Sequence, residues 1–361
     1  MTKWITKKLG DESVAKIIMG QSPSSTSYNE EFEGLPFLQG CAEFGKINPN
    51  THVYCKEPLK VAPENSILMS VRAPVGTMNR ADQKYIIGRG LCAIVPVIDG
   101  DYLYYYLSQN THLLEQRAQG STFLAVNTTE VSDMPITYPE SLTEQRRIAG
   151  ILSSADGAIA ASEALIEKYR NIKRGLLATL LQPKEGWKKV KLGEIGDFYV
   201  GGDVDKSCFS AYPTMECKYP IYANALVNEG LYGYSSKYEF DKEAVTITGR
   251  GDVGKVFYRK PYFSTIIRLV TLVPNNPDID VKFLSYAMSK INFIIESTGV
   301  PQLTAPQAKK YEIYIPDLAE QRRIAEILSS VDAKIAAEEK VVEKYKGVKK
   351  GLMEEMMGSE K

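Results

Sequence analysis

Two stretches of the chain repeat apolar and polar positions with a period that suits a helix. From Ile148, a set spaced by seven runs through Ala155, Ser162, Tyr169 and Leu176, and a second set, offset by four, runs through Leu152, Ile159, Ile166, Lys173 and Leu180. Further on the pattern returns as Ile324, Val331, Glu338, Tyr345 and Leu352, with Leu328, Ile335, Val342, Lys349 and Met356 beside it. A heptad seam with a few polar breaks predicts a coiled-coil helix. The 38 positions 144–181 then extend over roughly 57 Å at the helical rise. Neither helix can bury its stripe alone, so each is expected to pair with the other. Between them, short apolar runs such as Ile67-Leu68-Met69 and Val245-Thr246-Ile247 end in turns bearing Gly or Pro and read as strands.

The two helices are copies. Glu144-Gln145-Arg146-Arg147-Ile148-Ala149 recurs 176 residues later as Glu320-Gln321-Arg322-Arg323-Ile324-Ala325, and 21 of 38 positions are identical over 144–181 against 320–357. Unrelated surface helices would not keep Glu167-Lys168-Tyr169 and Glu343-Lys344-Tyr345 in register. The segments ahead of each helix are similar only weakly, as in Ser70-Val71-Arg72-Ala73-Pro74-Val75-Gly76 against Thr248-Gly249-Arg250-Gly251-Asp252-Val253-Gly254. The expected plan is a domain at 1–139, a helical region at 140–186, a second domain at 187–316 and a second helical region at 317–361. Helices that do one job twice stay alike. Domains that recognise different things need keep only their scaffold.

Composition narrows the class. A hydrophobic content of 44% and a charged content of 24% over 361 residues are ordinary for globular domains. No run approaches the roughly 18 apolar residues of a membrane span, and Met1-Thr2-Lys3-Trp4-Ile5-Thr6 lacks the apolar core of a signal peptide. A cytoplasmic protein without a membrane role is expected. Five cysteines with no Cys-x-x-Cys pair fit neither a disulfide scaffold nor structural zinc, and the two histidines, His52 and His112, sit in no ligand pattern. The net charge is zero; residues 1–139 hold 12 basic and 14 acidic side chains, and 187–316 hold 16 and 14. A stand-alone DNA clamp would be basic. If the chain binds DNA, partners add charge.

The stretches Leu142-Thr143-Glu144-Gln145-Arg146-Arg147-Ile148-Ala149 and Leu318-Ala319-Glu320-Gln321-Arg322-Arg323-Ile324-Ala325 resemble the conserved regions of Type I restriction-modification DNA-specificity subunits. Pro139 and Pro316 just upstream, and the downstream Lys-Tyr and Gly-Leu pattern, fit too. The resemblance implies two mixed α/β target-recognition domains at the ends of an antiparallel helical pair, related by a pseudo-two-fold axis. It implies a bipartite, asymmetric double-stranded DNA target with an unread gap. It further implies two modification (methyltransferase) subunits as partners, joined by restriction subunits where the complex cleaves, with S-adenosylmethionine, ATP and Mg bound by those partners and no cofactor on this chain.

Arg72 and Arg250 stand at equivalent strand ends and are the first candidates for DNA contact, since arginine suits both guanine edges and phosphates; a structural arginine holding a carboxylate is the alternative. The loops Gly120-Ser121-Thr122-Phe123 and Gly299-Val300-Pro301-Gln302 read as equivalent, which adds Ser121, Thr122 and Gln302, with a plain turn as the alternative. Lys255, next after the second arginine's loop, joins them. On the helices, Gln145, Arg146, Ile148, Leu152, Ile159 and Tyr169, with Gln321, Arg322, Ile324, Leu328, Ile335 and Tyr345, form the coiled-coil and partner-docking set. The cluster Tyr102, Tyr104, Tyr105 and Tyr106 reads as packing beneath a sheet rather than base stacking. Gly249–Gly254 matches G-x-G-x-x-G, but Lys255-Val256-Phe257-Tyr258 reads as a strand where a dinucleotide site needs a helix. Pro316-Asp317 with Glu338-Glu339-Lys340 mimics a nuclease motif by chance, because the later residues lie on the coiled coil. No Asn/Asp-Pro-Pro-aromatic motif and no Walker loop is present. A non-catalytic adaptor is therefore expected; a stand-alone methyltransferase or nuclease, and a structural coiled-coil protein without a DNA role, are the alternatives.

Adding one heptad to both helices together should widen the gap and leave both half-sites unchanged, as read by mapping methylated bases in cells. Exchanging 187–316 for a foreign domain should alter one half-site; a change in both would contradict the modular plan.

Overall fold

The computed structural model describes residues 3–115, 125–293 and 302–357. The chain divides into two compact units, Met1–Glu163 with Lys340–Lys361, and Ala164–Glu339. The division cuts through both long helices, Leu142–Leu180 and Leu318–Met357, rather than falling where helix meets domain.

In the first unit Leu91–Pro96 is an inner strand of a four-stranded antiparallel sheet, between Ala15–Met19 and Ile67–Ser70, with Met78–Arg80 at the edge. Its two inner strands read as nearly unbroken apolar runs because both faces are covered. Alternate residues serve different cores. Ile67, Met69, Cys92 and Ile94 pack with the helix Gly100–Gln109 and with Ile148 and Leu152 of the first long helix. Leu68, Leu91 and Ala93 face a second sheet through Leu38, Ala62, Tyr85 and Ile87. That sheet has five short strands, with Leu35–Leu38 running parallel to Tyr85–Ile87. A ribbon of Trp4–Lys8 against Pro135–Pro139 leads into the long helix.

The tyrosine cluster packs as its spacing predicts. Tyr102, Tyr105 and Tyr106 are buried, and their hydroxyls donate to Thr137 O (2.8 Å), Asp156 Oδ2 (2.8 Å) and Pro135 O (3.4 Å). Tyr104 instead lies under the Arg80 guanidinium, 4.1 Å from the ring centre.

The second unit repeats the plan. Val270–Pro274 lies between Gly196–Val200 and Ala244–Ile247, with Val256–Arg259 at the edge, and the ribbon is Lys188–Lys191 against Glu312–Ile315. The Gly249–Gly254 segment is thus a hairpin turn between antiparallel strands, as read from the sequence. A smaller sheet pairs Tyr219–Tyr222 in parallel with Ser264–Thr265. Arg259, only 2% exposed, joins the two sheets. Its Nε donates to Thr246 Oγ1 (2.9 Å), its Nη2 donates to Glu229 O (2.6 Å), and its guanidinium sits 3.7 Å from the Tyr222 ring centre. Burial pushes its pKa down, and the Tyr222 and Glu229 groups oppose that shift.

Within each unit, the start or end of one long helix runs antiparallel beside the other, and the same contacts recur at an offset of 176. In the first unit Lys349 Nζ is 2.6 Å from Asp156 Oδ1 and Lys346 is 3.3 Å from Glu163. In the second, Lys173 is 2.5 Å from Asp332 and Arg170 is 2.9 Å from Glu339. Each of these half-exposed aspartates also accepts from a tyrosine hydroxyl, Tyr105 on Asp156 and Tyr286 on Asp332. Burial first, and the adjacent carboxylate second, push both phenols well above their usual pKa. Half-exposed ion pairs contribute little individually; here they set register on a seam that Ile159, Ile166, Val331 and Val342 bury.

The first long helix holds one 18-residue window apolar enough to cross a membrane by composition alone, which corrects the expectation that no such run exists. The window passes that test because Ala, Ile and Leu outnumber its charges; in this fold Ile148, Leu152 and Ile159 are buried against protein.

A buried amide fixes how each long helix leaves its ribbon. Gln145 is 2% exposed; its Oε1 accepts from Asp99 N (2.9 Å) and its Nε2 donates to Pro139 O (2.8 Å). Gln321, 1% exposed, accepts from Asp280 N (2.9 Å) and donates to Pro316 O (3.0 Å) and Asp278 O (3.0 Å). Asp99 and Asp280 in turn cap the short helices Gly100–Gln109 and Val281–Ser289. One amide thus ties ribbon, short helix and long helix together. Gln145→Ala strands a buried N–H and a buried carbonyl and should cost about 2–3 kcal/mol of stability by chemical denaturation. The exposed neighbour Arg146→Ala should cost less than about 0.5 kcal/mol. Equal effects of the two would contradict the brace.

Candidate nucleic-acid interface

In the first unit the strand Ile67–Ser70 ends in a tight loop. Ser70 N donates to Thr77 O (2.8 Å) and Gly76 N donates back to Ser70 O (2.9 Å). Gly76 has φ +85°, which glycine adopts without strain. The second unit repeats these bonds as Thr248 N to Lys255 O (2.9 Å) and Gly254 N to Thr248 O (2.8 Å). Arg72 and Arg250 project at matching places on these loops, and both are exposed. Arg72 makes an isolated backbone bridge with Ala125. Arg250 donates through Nε (3.3 Å) and Nη2 (3.1 Å) to Gln302 Oε1. Arg250 and Gln302 are therefore brought together, with exposed Lys255 at the end of the same loop.

Ser121 and Thr122 lie outside the described residues. The sequence pairing of their loop with Gln302 needs correction by two residues. Val126 N donates to Val71 O and Leu303 N donates to Gly249 O, both at 2.9 Å, so Gln302 answers Ala125 rather than Phe123. Glycines at the start of two dissimilar loops were a poor anchor; the bond to the strand end sets the register.

A second loop adjoins the first in each unit. Val71 N donates to Gly90 O (3.0 Å), which places Gly88-Arg89-Gly90 beside the Arg72 loop. A Cβ on Gly90 would fall 2.8 Å from Gln39 O, so the backbone passes too close for any side chain. Arg89 is exposed, and its N–H donates to Ser22 Oγ (3.1 Å). In the second unit Asn224 Oδ1 accepts from Gly249 N (2.7 Å) while its Nδ2 donates to Ile267 O, which joins the Arg250 loop to Ile267-Arg268. Ile267 and Arg268 carry φ of +52° and +57°. For a β-branched residue that conformation costs about 1–3 kcal/mol. Bonds from Ile267 N to Gly202 O (2.8 Å) and Arg268 N to Gly201 O (2.9 Å) hold it.

Sequence reasoning missed Arg89 and Arg268. The Gly-Arg-Gly turn between the apolar runs Tyr85–Ile87 and Leu91–Ile94 was a usable signal for the first; nothing comparable marks the second. Among the described residues the side chains of Arg72, Arg89 and Arg268 make no ion pair or hydrogen bond. Arg80, Arg147, Arg170 and Arg323, by contrast, each hold a carboxylate. Arginines left unpaired on adjoining loops are available to anions.

The helix residues divide by exposure. Gln145, Ile148, Leu152, Ile159, Gln321, Ile324 and Leu328 are buried within their own units, and Ile335 and Tyr169 are half-buried, with Lys334 Nζ 5.6 Å from the Tyr169 ring centre. Arg146, 3.8 Å from Asp99, and Arg322 are exposed, and Tyr345 is 38% exposed. Among the described residues no cluster of His, Cys, Asp and Glu gathers to hold a metal.

The model of the Type I restriction modification DNA specificity domain matches the chain twice, over 1–169 and 184–344. The chain belongs to that family. The putative type I restriction enzyme MjaX specificity subunit of Methanocaldococcus jannaschii is 42% identical over 184 residues, 50% of this chain and 43% of that one. A putative type I specificity subunit of Mycoplasma pneumoniae is 28% identical over 249 residues, 66% of each chain. The matches thus span less than two thirds of these relatives. The crystal structure of a Type I restriction-modification S subunit from M. genitalium superposes with a TM-score of 0.70 at 19% identity, covering 99% of this chain and 96% of that one. A structure described for complex assembly and conformational transition of the type I R-M system gives 0.58 at 15% identity, with all of both chains covered. The fold of this specificity-family chain is therefore the S-subunit fold: two mixed α/β domains with two long helices.

Arg72→Ala and Arg250→Ala should each weaken DNA binding by about ten-fold and flatten the slope of log affinity against log salt by about 1 if the side chain holds a phosphate. An unchanged affinity and slope would remove these loops from the interface.

Proposed function

We infer that this chain reads DNA for a Type I restriction-modification complex and has no catalytic role of its own. Each unit takes one half of a bipartite, asymmetric double-stranded target. The observation that supports this reading most is the recurrence of exposed arginines on equivalent loops of two diverged units (Arg72 and Arg250, with Arg89 and Arg268 on the loops beside them). Ser121, Thr122, Lys255 and Gln302 belong to the same proposed contact set. With two or three such cations per unit and a neutral chain, phosphate neutralisation is too small for tight binding alone. Two modification subunits supply the rest, docking on exposed helix positions such as Arg146, Arg322 and Tyr345; restriction subunits join when the complex cleaves. S-adenosylmethionine, ATP and Mg are taken by those partners, in the cytoplasm.

The pure chain incubated with DNA, Mg and S-adenosylmethionine should transfer no methyl group and cut nothing. Addition of the modification subunit should give methylation confined to one bipartite motif. Activity of the chain alone would overturn the adaptor reading, and methylation without a motif would overturn the DNA-reading role.

A further inference from the structure

The two second loops share the backbone bonds at their ends and differ in the residues between them. Gly20 N donates to Leu91 O and Gly201 N to Leu269 O, both at 2.9 Å. Gly88 N donates to Leu38 O (2.8 Å) and Ile266 N to Tyr222 O (2.9 Å), each from the end of a strand in a parallel pair. With Gly88 matched to Ile266 and Leu91 to Leu269, Arg89 occupies the loop position of Ile267, although only Ile267 takes a positive φ there. Both lie one loop away from the arginine at the strand end, Arg72 or Arg250.

Ile267 is an unusual occupant for that place. It is β-branched at a positive φ, which β-branched residues avoid, and 46% of it faces solvent. Its neighbours Ile266 and Leu269 are buried at 3% and 0%, so the core of the loop is filled without it. The strain is held by Gly202, Asn224 and the Arg250 loop, and the fold gains little packing from the side chain in return. An exposed apolar side chain on a loop that Asn224 ties to the Arg250 loop, next in sequence to Arg268, suits contact with an apolar group on an anionic ligand. In a DNA groove that group is the thymine methyl. The guanidinium at the matching place suits the paired acceptors O6 and N7 of guanine.

We propose that Arg89 and Ile267 are equivalent specificity-determining residues, Arg89 taking a guanine edge in one half-site and Ile267 a thymine methyl in the other. The inference rests on the DNA-reading function above. Arg72, Arg250 and Arg268 then position the backbone, and the residue at this shared loop position contributes one base difference between the two halves of the target.

The test expresses the full chain with its modification subunit and maps the methylated motif for wild type, Arg89→Ile, Ile267→Arg and Ile267→Asn. Asparagine tolerates the left-handed conformation and lacks the methyl groups. Arg89→Ile should lower the preference for guanine at one position of one half-site by about ten-fold or more, leaving the other half-site intact. Ile267→Arg should turn one thymine of the other half-site into guanine, and Ile267→Asn should relax that thymine. Variants that methylate as much DNA as wild type and keep its motif would overturn the assignment. A wild-type chain that directs no bipartite motif would instead overturn the function on which the assignment rests.

Discussion

The fold turns on one buried amide in each unit. Gln145 and Gln321 sit where the ribbon ends and the long helix begins, and each satisfies both a backbone N–H at a short helix's cap and a backbone carbonyl at the ribbon's last proline. A neutral side chain that donates and accepts is required, because a carboxylate could not donate to the carbonyl and a lysine could not accept from the amide. With that junction set, Ile148 and Leu152, or Ile324 and Leu328, enter the unit's core. The seam beyond then follows from the heptads and from the ion pairs that repeat at the 176-residue offset.

This division explains why parts of one chain diverge at different rates. The junction and the seam must satisfy buried polar groups and fit one register, so few substitutions pass. The loops after Ile67–Ser70 and Ala244–Ile247 need only a backbone path, given by glycines at Gly76 and Gly254 and by bonds to strand ends. Val71 and Val75 anchor the first loop in the core, while the exposed side chains, Arg72 and Arg250 among them, are free to change with the ligand. A rigid scaffold carrying variable loops is the usual arrangement for recognition.

Much of this was legible in the sequence. The heptads gave both helices and their partner, since the periodicity is local and occurs twice. The matching loop places of Arg72 and Arg250 were legible because a strand and a Gly- or Pro-bearing turn flank each. The burial of Tyr102, Tyr105 and Tyr106 followed from helical spacing. The match of Arg89 to Ile267 was not legible. It depends on parallel pairing between strands far apart in the chain, and Gly-Arg-Gly shares no residue with Ile266-Ile267-Arg268 except an arginine one place away. The pairing of Gln302 failed for a related reason, since a long-range bond to Gly249 rather than any local motif sets its place. The apolar window of the first long helix was underestimated because its alanines and small residues do not form a conspicuous run.

The central claim is that the units share a frame and differ only in what their loops present. It is tested most directly by transplanting the second unit's loops, 249–255 and 266–268, onto the matching places 71–77 and 88–90 of the first, and mapping the motif the complete complex methylates. The account predicts a target whose first half-site changes toward the second while the second and the gap stay the same. A folded, active chain that keeps its original first half-site would contradict it.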